Sequence, residues 1–501
     1  MSVFTGLTDF DPAPSLQTSA AVTVSTRTAP DAPVIGYLVA GDSTDPGVHG
    51  LDGVAFEAAG FEGRVGQTIV LPSAGGPLTV LVGVGESGDL DADRLRDAGA
   101  AFARATERHR NLTLRLGDIG VVAPDVAGQV LVEGALLARY RYDVLKAKAT
   151  VEPIEALALV IDGSRSAGVR RGAARGVFTA EATSIARDLA NTPPALLTAI
   201  DMAELASWLG KERGLTVEIF DKKALIDLGC GGLLGVNAGS AEEPRMIRLS
   251  YRPARPKGHL TLVGKGIMYD AGGMALKPAD DVHATMKNDM SGAGAILAAM
   301  AQLEGLGCKA AVTGYLMCTD NRPSETSIAM GDVLTVYGGK TVEVKNTDAE
   351  GRLVMADALV LATEDETDAI VDIATLTGAA MRALGTQVAG LIGNNAALVA
   401  QVEESAAVTG ESVWELPLER RYRGDLNSDI ADIKNLGGAN AGAITAALFL
   451  DEFVAGKPWA HIDIAGTAQN DRDTSWRPPG CTGFGARLLV ELALNFKRPE
   501  A

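Results

Sequence analysis

Seven side chains between Val263 and Leu376 are of types that can hold metal ions or polarise a carbonyl: Lys265, Asp270, Lys277, Asp289, Asp348, Glu350 and Arg352. The run VGKGIMYDAGGMALKP carries the first two aspartate and lysine positions, with Lys277, amid Gly264, Gly266, Gly272 and Gly273. It starts where a strand expected over His259 to Val263 ends, and glycines there let backbone approach a ligand closely. A phosphate loop is the rival, but the run contains neither GxGxxG nor the P-loop pattern. Asp289 precedes a helical run, Ser291 to Glu304, where capping is the ordinary role of an aspartate. In KNTDAEGRLVMADAL, Asp348, Glu350 and Arg352 are spaced by two, so an extended segment would point all three to one face. Buried carboxylates side by side repel unless cations neutralise them. Asp270, Asp289, Asp348 and Glu350 bring four negative charges that two divalent ions would cancel, leaving Lys277 and Arg352 as cations beside the cluster. That suits peptide hydrolysis, where two metals roughly 3.5 to 4 Å apart polarise a carbonyl and lower the pKa of a bridging water.

Such a cluster needs a scaffold that gathers distant residues. The 501 residues, 47% hydrophobic and 22% charged, exceed one ordinary core, and two domains are expected. Short apolar runs (Val34 to Ala40, Leu78 to Val84, Leu157 to Ile161) alternate with helical patterns (Asp91 to Arg108, Ala127 to Ala147), which is α/β grammar. A helical pattern from Ala167 to Ala190 stops before Pro193 and Pro194 and reads as a connector. Beyond it, strands are expected over Thr216 to Phe220, Met246 to Tyr251, Ala310 to Met317 and Ala369 to Ala374, with a helix over Ala356 to Ala362. The expected organisation is a smaller N-terminal α/β domain (1–165), a connecting helix (166–190) and a C-terminal α/β/α catalytic domain (191–501) with a mixed, largely parallel central sheet. A GxGxxG match, GVGESG at Gly83 to Gly88, sits between a strand and a helix; an ordinary turn competes with a dinucleotide site there.

The net charge of -18 opposes generic binding to nucleic-acid phosphates or anionic lipid, and no apolar stretch is long enough for a membrane helix. Four scattered cysteines, Cys230, Cys308, Cys318 and Cys481, suit a reducing compartment as buried free thiols. The N-terminus lacks a basic region followed by an apolar core, so a cytoplasmic location is expected. The five histidines, His49, His109, His259, His283 and His461, form no HExxH, so any metal must find other ligands.

The octapeptide NTDAEGRL, Asn346 to Leu353, resembles the signature of the leucine aminopeptidase (cytosol aminopeptidase) family of dinuclear metallopeptidases. Further segments resemble the same family: VGKGIMYDAGG, DIATLTGA (Asp372 to Ala379), SDIADIKN (Ser428 to Asn435), AGAITAALFL (Ala441 to Leu450) and HIDIAGTA (His461 to Ala468). The similarity covers about residues 185 to 501, and it is weaker upstream, in VGVGE and EGALLARYRYDVLK. It implies a tighter metal site of Lys265, Asp270, Asp289 and Glu350, and an exchangeable one of Asp270, Asp348 with its carbonyl, and Glu350. Oxygen-rich ligation with one amine suits zinc, manganese, cobalt or magnesium without fixing the metal, and two ions per subunit, Mn2+ or Zn2+, are expected. The resemblance further implies Lys277 as the oxyanion's partner and a bicarbonate held by Arg352 with backbone from Ala349, Gly351 and Leu376. Substrate would meet Met286, Asn346, Thr375, Gly378, Ala465 and Ala468, favouring N-terminal Leu, Met and other apolar residues of short peptides. Ala468 stands where some members carry Met, and the run between Lys277 and Met286 is one residue longer than the family's pattern.

A homohexamer built as a dimer of trimers is implied as well. The rival from another class is a nucleic-acid-binding regulator, for which Arg165 to Arg175 and Arg252 to Lys257 are the basic stretches. Outside the metal set, His283 is expected to face solvent and Asp357 to form a salt bridge. Asp429 and Asp432 are expected in salt bridges or subunit contacts, and His461 and Asp463 at a sheet edge or behind the site.

Overall fold

Continuous Val, Leu and Ile runs belong in parallel sheets covered on both faces, and both halves of the chain are built that way. The structure, a computed structural model, describes residues 10–43, 58 and 60–500. His49 and the first nine residues, on which part of the N-terminal reading rests, lie outside them. The chain divides into two compact units, one chiefly of Ile185–Gln469 and Cys481–Ala501, the other of Pro14–Ser184 with Asn470–Gly480. No helix among the described residues is long and apolar enough to cross a membrane.

In the unit of Pro14–Ser184, β1 (Ala21–Ser25), β2 (Val34–Val39), β3 (Thr68–Leu71), β4 (Leu78–Gly83), β5 (Asn111–Arg115) and β6 (Ala156–Val160) lie in the order β1-β6-β5-β2-β4-β3. Every neighbouring pair is parallel except β3 with β4. The helical pattern expected to reach Ala147 stops at Arg139, after which Tyr140 is extended. Arg139 explains the stop: its buried guanidinium donates to the carbonyls of Ala103, Thr106 and His109, tying the last turn to a neighbouring loop. The GVGESG segment does lead from β4 to the helix Ala92–Ala105. Its surroundings are acidic, however: Ser87 donates its N–H and hydroxyl to Asp42, Asp91 caps the helix, and Asp93 stands in the first turn. A helix start so charged repels phosphate, and the turn is an ordinary connection.

In the other unit, β7 (Thr216–Phe220), β8 (Arg245–Tyr251), β9 (His259–Asp270) and β10 (Ala311–Asn321) come first along the chain. They are followed by β11 (Val333–Thr335), β12 (Thr341–Glu343), β13 (Ala369–Ala374), β14 (Ala389–Gly393), β15 (Val413–Glu415), β16 (Ile433–Lys434) and β17 (Trp459–Asp463). Eight of these strands form one sheet in the order β15-β14-β17-β13-β9-β10-β8-β7, while β11, β12 and β16 pair separately. The central four, β17, β13, β9 and β10, are parallel, and antiparallel pairs occur only towards the flanks. Their carboxyl ends therefore open on the same side, where ligands of open α/β sheets gather. The connector pattern becomes the helix Ser166–Asn191.

β9 differs from expectation in an instructive way. It continues seven residues past Val263, so Lys265 and Asp270 lie on a strand instead of a glycine-rich loop. Gly264 and Gly266 make this possible, because a Cβ at either would sit 2.8 Å from Ala293 Cα or the Met317 carbonyl. On a regular strand, positions 265 and 270 would face opposite ways. The pairing with β10 steps from Thr319↔Ile267 to Asp320↔Tyr269, so β9 carries one extra residue there. That bulge removes one alternation and returns both side chains to one face.

Candidate active site

Three carboxylates from three segments converge: Asp270 ends β9, Asp289 lies in the turn before the helix Ser291–Met300, and Glu350 immediately precedes the helix Gly351–Glu364. One oxygen from each lies within 4.8 Å of the others, and all three residues are buried. Two lysines thread between the acids. Lys265 Nζ is 2.8 Å from Asp289 Oδ2, 2.8 Å from Glu350 Oε1 and 2.9 Å from the Thr375 carbonyl. Lys277 Nζ is 2.7 Å from Asp270 Oδ2 and 2.6 Å from Asp348 Oδ1, which brings Asp348 into the cluster.

The electrostatics are those of a site short of positive charge. Burial pushes the carboxyls of Asp289, Glu350 and Asp348 above the usual range, and the facing Asp270 adds to it in each case. Burial pulls Lys265 and Lys277 the other way, but their acidic partners more than offset it and hold both ammoniums above the ordinary lysine value. Glu350 Oε2 is buried without a hydrogen-bond partner, although its sister oxygen meets Lys265. Carboxylates clustered at this spacing, with one oxygen left over, fit divalent cations.

Arg352 is the second residue of its helix, so Asp348, Glu350 and Arg352 do not share the face of an extended segment as their spacing suggests. Helix starts at Gly351 because Glu350 already adopts helical dihedrals, and the three side chains diverge from a turn. Arg352 is 5% exposed and its Nη1 donates to the Asn435 carbonyl, while its Nε has no partner. Burial lowers its pKa to about 10, which Glu350 and Asp463 partly counter. Gly351 has a specific reason to be glycine: a Cβ there would lie 2.7 Å from Lys265 Cε and 2.8 Å from Nζ. Gly351→Ala should therefore leave folding intact but weaken metal binding about 10- to 100-fold, the size of effect seen when a ligand's support is disturbed; a metal titration checks this.

Apart from Asn346, which stands two residues before Asp348, the residues expected around a substrate follow the carboxyl ends of β13 and β17 or lie in the turn before Asp289. Thr375 is buried and donates its hydroxyl to Asp289 Oδ1 at 2.7 Å. Leu376 and Ala465 are half-buried and Gly378 is exposed at the start of a helix, whereas Ala468 is buried and Met286 half-buried. Asn346 spends its Oδ1 on the N–H of Asp348, and Ala349 gives its carbonyl to Asn435. Asp463 organises this rim: it accepts from the N–H groups of Leu376, Thr377 and Ala465 and from the Thr377 hydroxyl. β17 is an interior strand, so the sheet-edge reading of His461 and Asp463 does not hold.

Three organising residues escape a reading of the sequence. Asn321 donates to Asp270 Oδ1 and to the Thr347 carbonyl. Thr347 donates to the Gly272 carbonyl and accepts from Ala275, fixing the turn that leads to Lys277. Asn435 clamps Lys345, Asn346 and Ala349. Other expectations are corrected. His283 is half-buried and stacks on Tyr269 at 5.9 Å, with Arg322 5.1 Å from the same ring. Asp357 forms no salt bridge but accepts from the N–H groups of Gly232, Leu233 and Tyr337, and burial raises its pKa to about 7. Asp432 accepts from the Thr341 N–H and hydroxyl. All four cysteines are free and buried, and burial raises their thiols.

Comparison with known proteins identifies relatives over most of the chain. A family profile described as "Cytosol aminopeptidase family, catalytic domain" matches residues 184–490, and one described as the N-terminal domain of the same family matches 40–149. A Streptomyces avermitilis protein named "Probable cytosol aminopeptidase" is 43% identical, over 91% of this chain and 92% of its own. A Chlorobaculum tepidum protein of the same name is 42% identical, over 88% of this chain and 92% of its own. Among solved structures, the bottromycin maturation enzyme BotP in complex with Mn superposes with a TM-score of 0.85 at 37% identity, covering 92% of this chain and 98% of that one. A mutant of tomato leucine aminopeptidase gives a TM-score of 0.87 at 30% identity, covering 95% and 97%.

Proposed function

Because the chain belongs to the cytosol aminopeptidase family and is an aminopeptidase, a hydrolase, we propose that it releases N-terminal residues from short peptides using two divalent ions held in the carboxylate cluster. The observation that carries this reading is the mutual approach of buried Asp270, Asp289 and Glu350. Lys265, Asp270, Asp289 and Glu350 would hold one ion, and Asp270, Glu350 and Asp348 with its carbonyl the other. Manganese, the ion named in the BotP structure, or zinc suits these donors. When bound, the ions polarise the scissile carbonyl and activate a water as nucleophile, and a bicarbonate supplies the base that the free side chains do not.

The chain's own residues do the rest. Lys277, tied to Asp270 and Asp348, is placed to meet negative charge developing on the substrate's carbonyl oxygen. Arg352, buried without a carboxylate partner, has the charge to hold the bicarbonate together with the backbone of Ala349, Gly351 and Leu376. Met286, Thr375, Gly378, Ala465 and Ala468 would line the pocket for the first side chain, and Asn346, which accepts from the Asp348 N–H, would hold the turn that carries Asp348. Alanine at 468 leaves room for Leu and Met. Peptides with free N-terminal Leu or Met should be cleaved and their N-acetylated forms left intact. Preference for Ala or Gly over Leu and Phe would contradict the pocket, and cleavage of the acetylated forms would contradict the exopeptidase assignment.

Metal affinity should rise with pH. Lys265 ligates only as the neutral amine, yet its acidic partners raise its ammonium above the ordinary value, so binding must expel a proton. Calorimetry in buffers of different ionisation heat should show about one proton or more released per tight-site ion at neutral pH; no release would remove Lys265 from the ligand set. A cytoplasmic location accords with four buried free thiols and with the relatives' description. Assembly as a hexamer is the corresponding proposal for quaternary structure, measured by light scattering.

A further inference from the structure

Asn321 is the last residue of β10 and pairs with Asp270 just beyond the bulge in β9. Its backbone carbonyl accepts from the Ala271 N–H at 2.9 Å, which fixes the residue against the end of β9. It is 3% exposed, and its Nδ2 donates twice, to Asp270 Oδ1 at 2.8 Å and to the Thr347 carbonyl at 2.9 Å. Asp270 Oδ1 also accepts from the Gly272 N–H at 2.8 Å. An oxygen that takes two donors has both lone pairs committed, so Oδ2, which faces Lys277, is the one left for a cation. The Thr347–Asp348 peptide is held at both ends, its carbonyl by Asn321 and its N–H by Asn346 Oδ1 at 2.9 Å. That fixes the direction in which the Asp348 side chain leaves the turn, towards the same Lys277 ammonium that Asp270 meets. One buried amide thus sets the separation of two acids that are distant in sequence.

The other half of the cluster has a different support. Lys265 and Asp289 meet each other and are held by Thr375, whose carbonyl accepts from the lysine and whose hydroxyl donates to Asp289 Oδ1. Among the described residues no hydrogen bond joins either side chain to Asn321 or Thr347. Resting on the two-ion reading above, we propose that Asn321 is a positioning residue for the exchangeable ion. Asp270 and Asp348, both of which would bind that ion, are held by its amide, whereas of the tighter set only Asp270 is. Removing a ligand's support costs about 10- to 100-fold in metal affinity, and here the cost falls chiefly on the exchangeable ion.

The test is a manganese titration of metal-free native protein and of Asn321→Ala, by calorimetry with bound metal counted, beside the manganese dependence of kcat. The native chain should take up two ions, in a tighter and a weaker step. In the variant the weaker step should move about 10- to 100-fold to higher concentration, the tighter step should move little, and kcat should recover as manganese is raised by the same factor. Equal weakening of both steps, an unmoved weaker step, or an activity loss that excess manganese does not restore overturns the proposal. Native protein that takes up fewer than two ions removes the two-ion reading itself. Should Asn321→Ala fail to fold, crystals of the native protein grown with manganese still decide: Asn321 Nδ2 must remain on Asp270 Oδ1 with the ions on the other oxygen, and an ion on Oδ1 overturns the proposal.

Discussion

Alanine in place of Glu350 should give a folded protein with no measurable turnover of leucine p-nitroanilide. Glu350, like Asp270, belongs to both proposed ion sites: one of its oxygens lies 2.8 Å from Lys265 and the other is buried and unpartnered. Its loss should exceed the roughly 10- to 100-fold cost of removing a mere supporting group. Stability separates this from general damage. Burial and the facing Asp270 raise the Glu350 carboxyl, so its charge is a burden to the metal-free protein and its removal should not lower the metal-free melting temperature. What should disappear is the upward shift in melting temperature that manganese gives the native chain, since an ion that binds only the folded state stabilises it by an amount that grows with the logarithm of its concentration relative to Kd. A retained shift with activity abolished would place Glu350 in catalysis but outside the ligand set.

Lys277→Met should lower kcat on the order of 10²- to 10³-fold, the usual effect of removing one group that stabilises an oxyanion, with KM and bound metal little changed. The ammonium contacts Asp270 and Asp348, and these acids hold its pKa above the ordinary lysine value despite burial. It therefore stays charged throughout the working pH range and contributes no limb to the pH profile. Arginine should not restore activity, because a planar fork cannot replace a point charge between two carboxylates. Loss of metal on this substitution, or a change confined to KM, would contradict the role.

Much of the site is legible in residue type alone, because four acids with lysine and arginine between them have few structural explanations once they are brought together. What brings them together is less legible. The spacing of Lys265 and Asp270 argues against a shared face until the bulge in β9 is known, and a bulge depends on how β10 pairs with it. The two-residue spacing of Asp348, Glu350 and Arg352 suggests an extended strand, whereas the helix begins at Gly351 and the turn does the positioning. Asn321, Thr347 and Asn435 are of the types that fill ordinary turns, and only their distant partners distinguish them. The ends of elements are less legible too: β9 runs past its apolar stretch, and the helix Pro124–Arg139 stops where Arg139 meets backbone partners distant in sequence.

The most direct test of the dinuclear aminopeptidase reading is to strip the protein with chelator, confirm its fold, and follow leucine p-nitroanilide hydrolysis while manganese or zinc is returned and bound metal is counted. Activity should vanish on chelation and reappear as occupancy approaches two ions per chain. Full activity in metal-free protein, or none across several metals and N-terminal residues in protein that is folded and carries two ions, would contradict it.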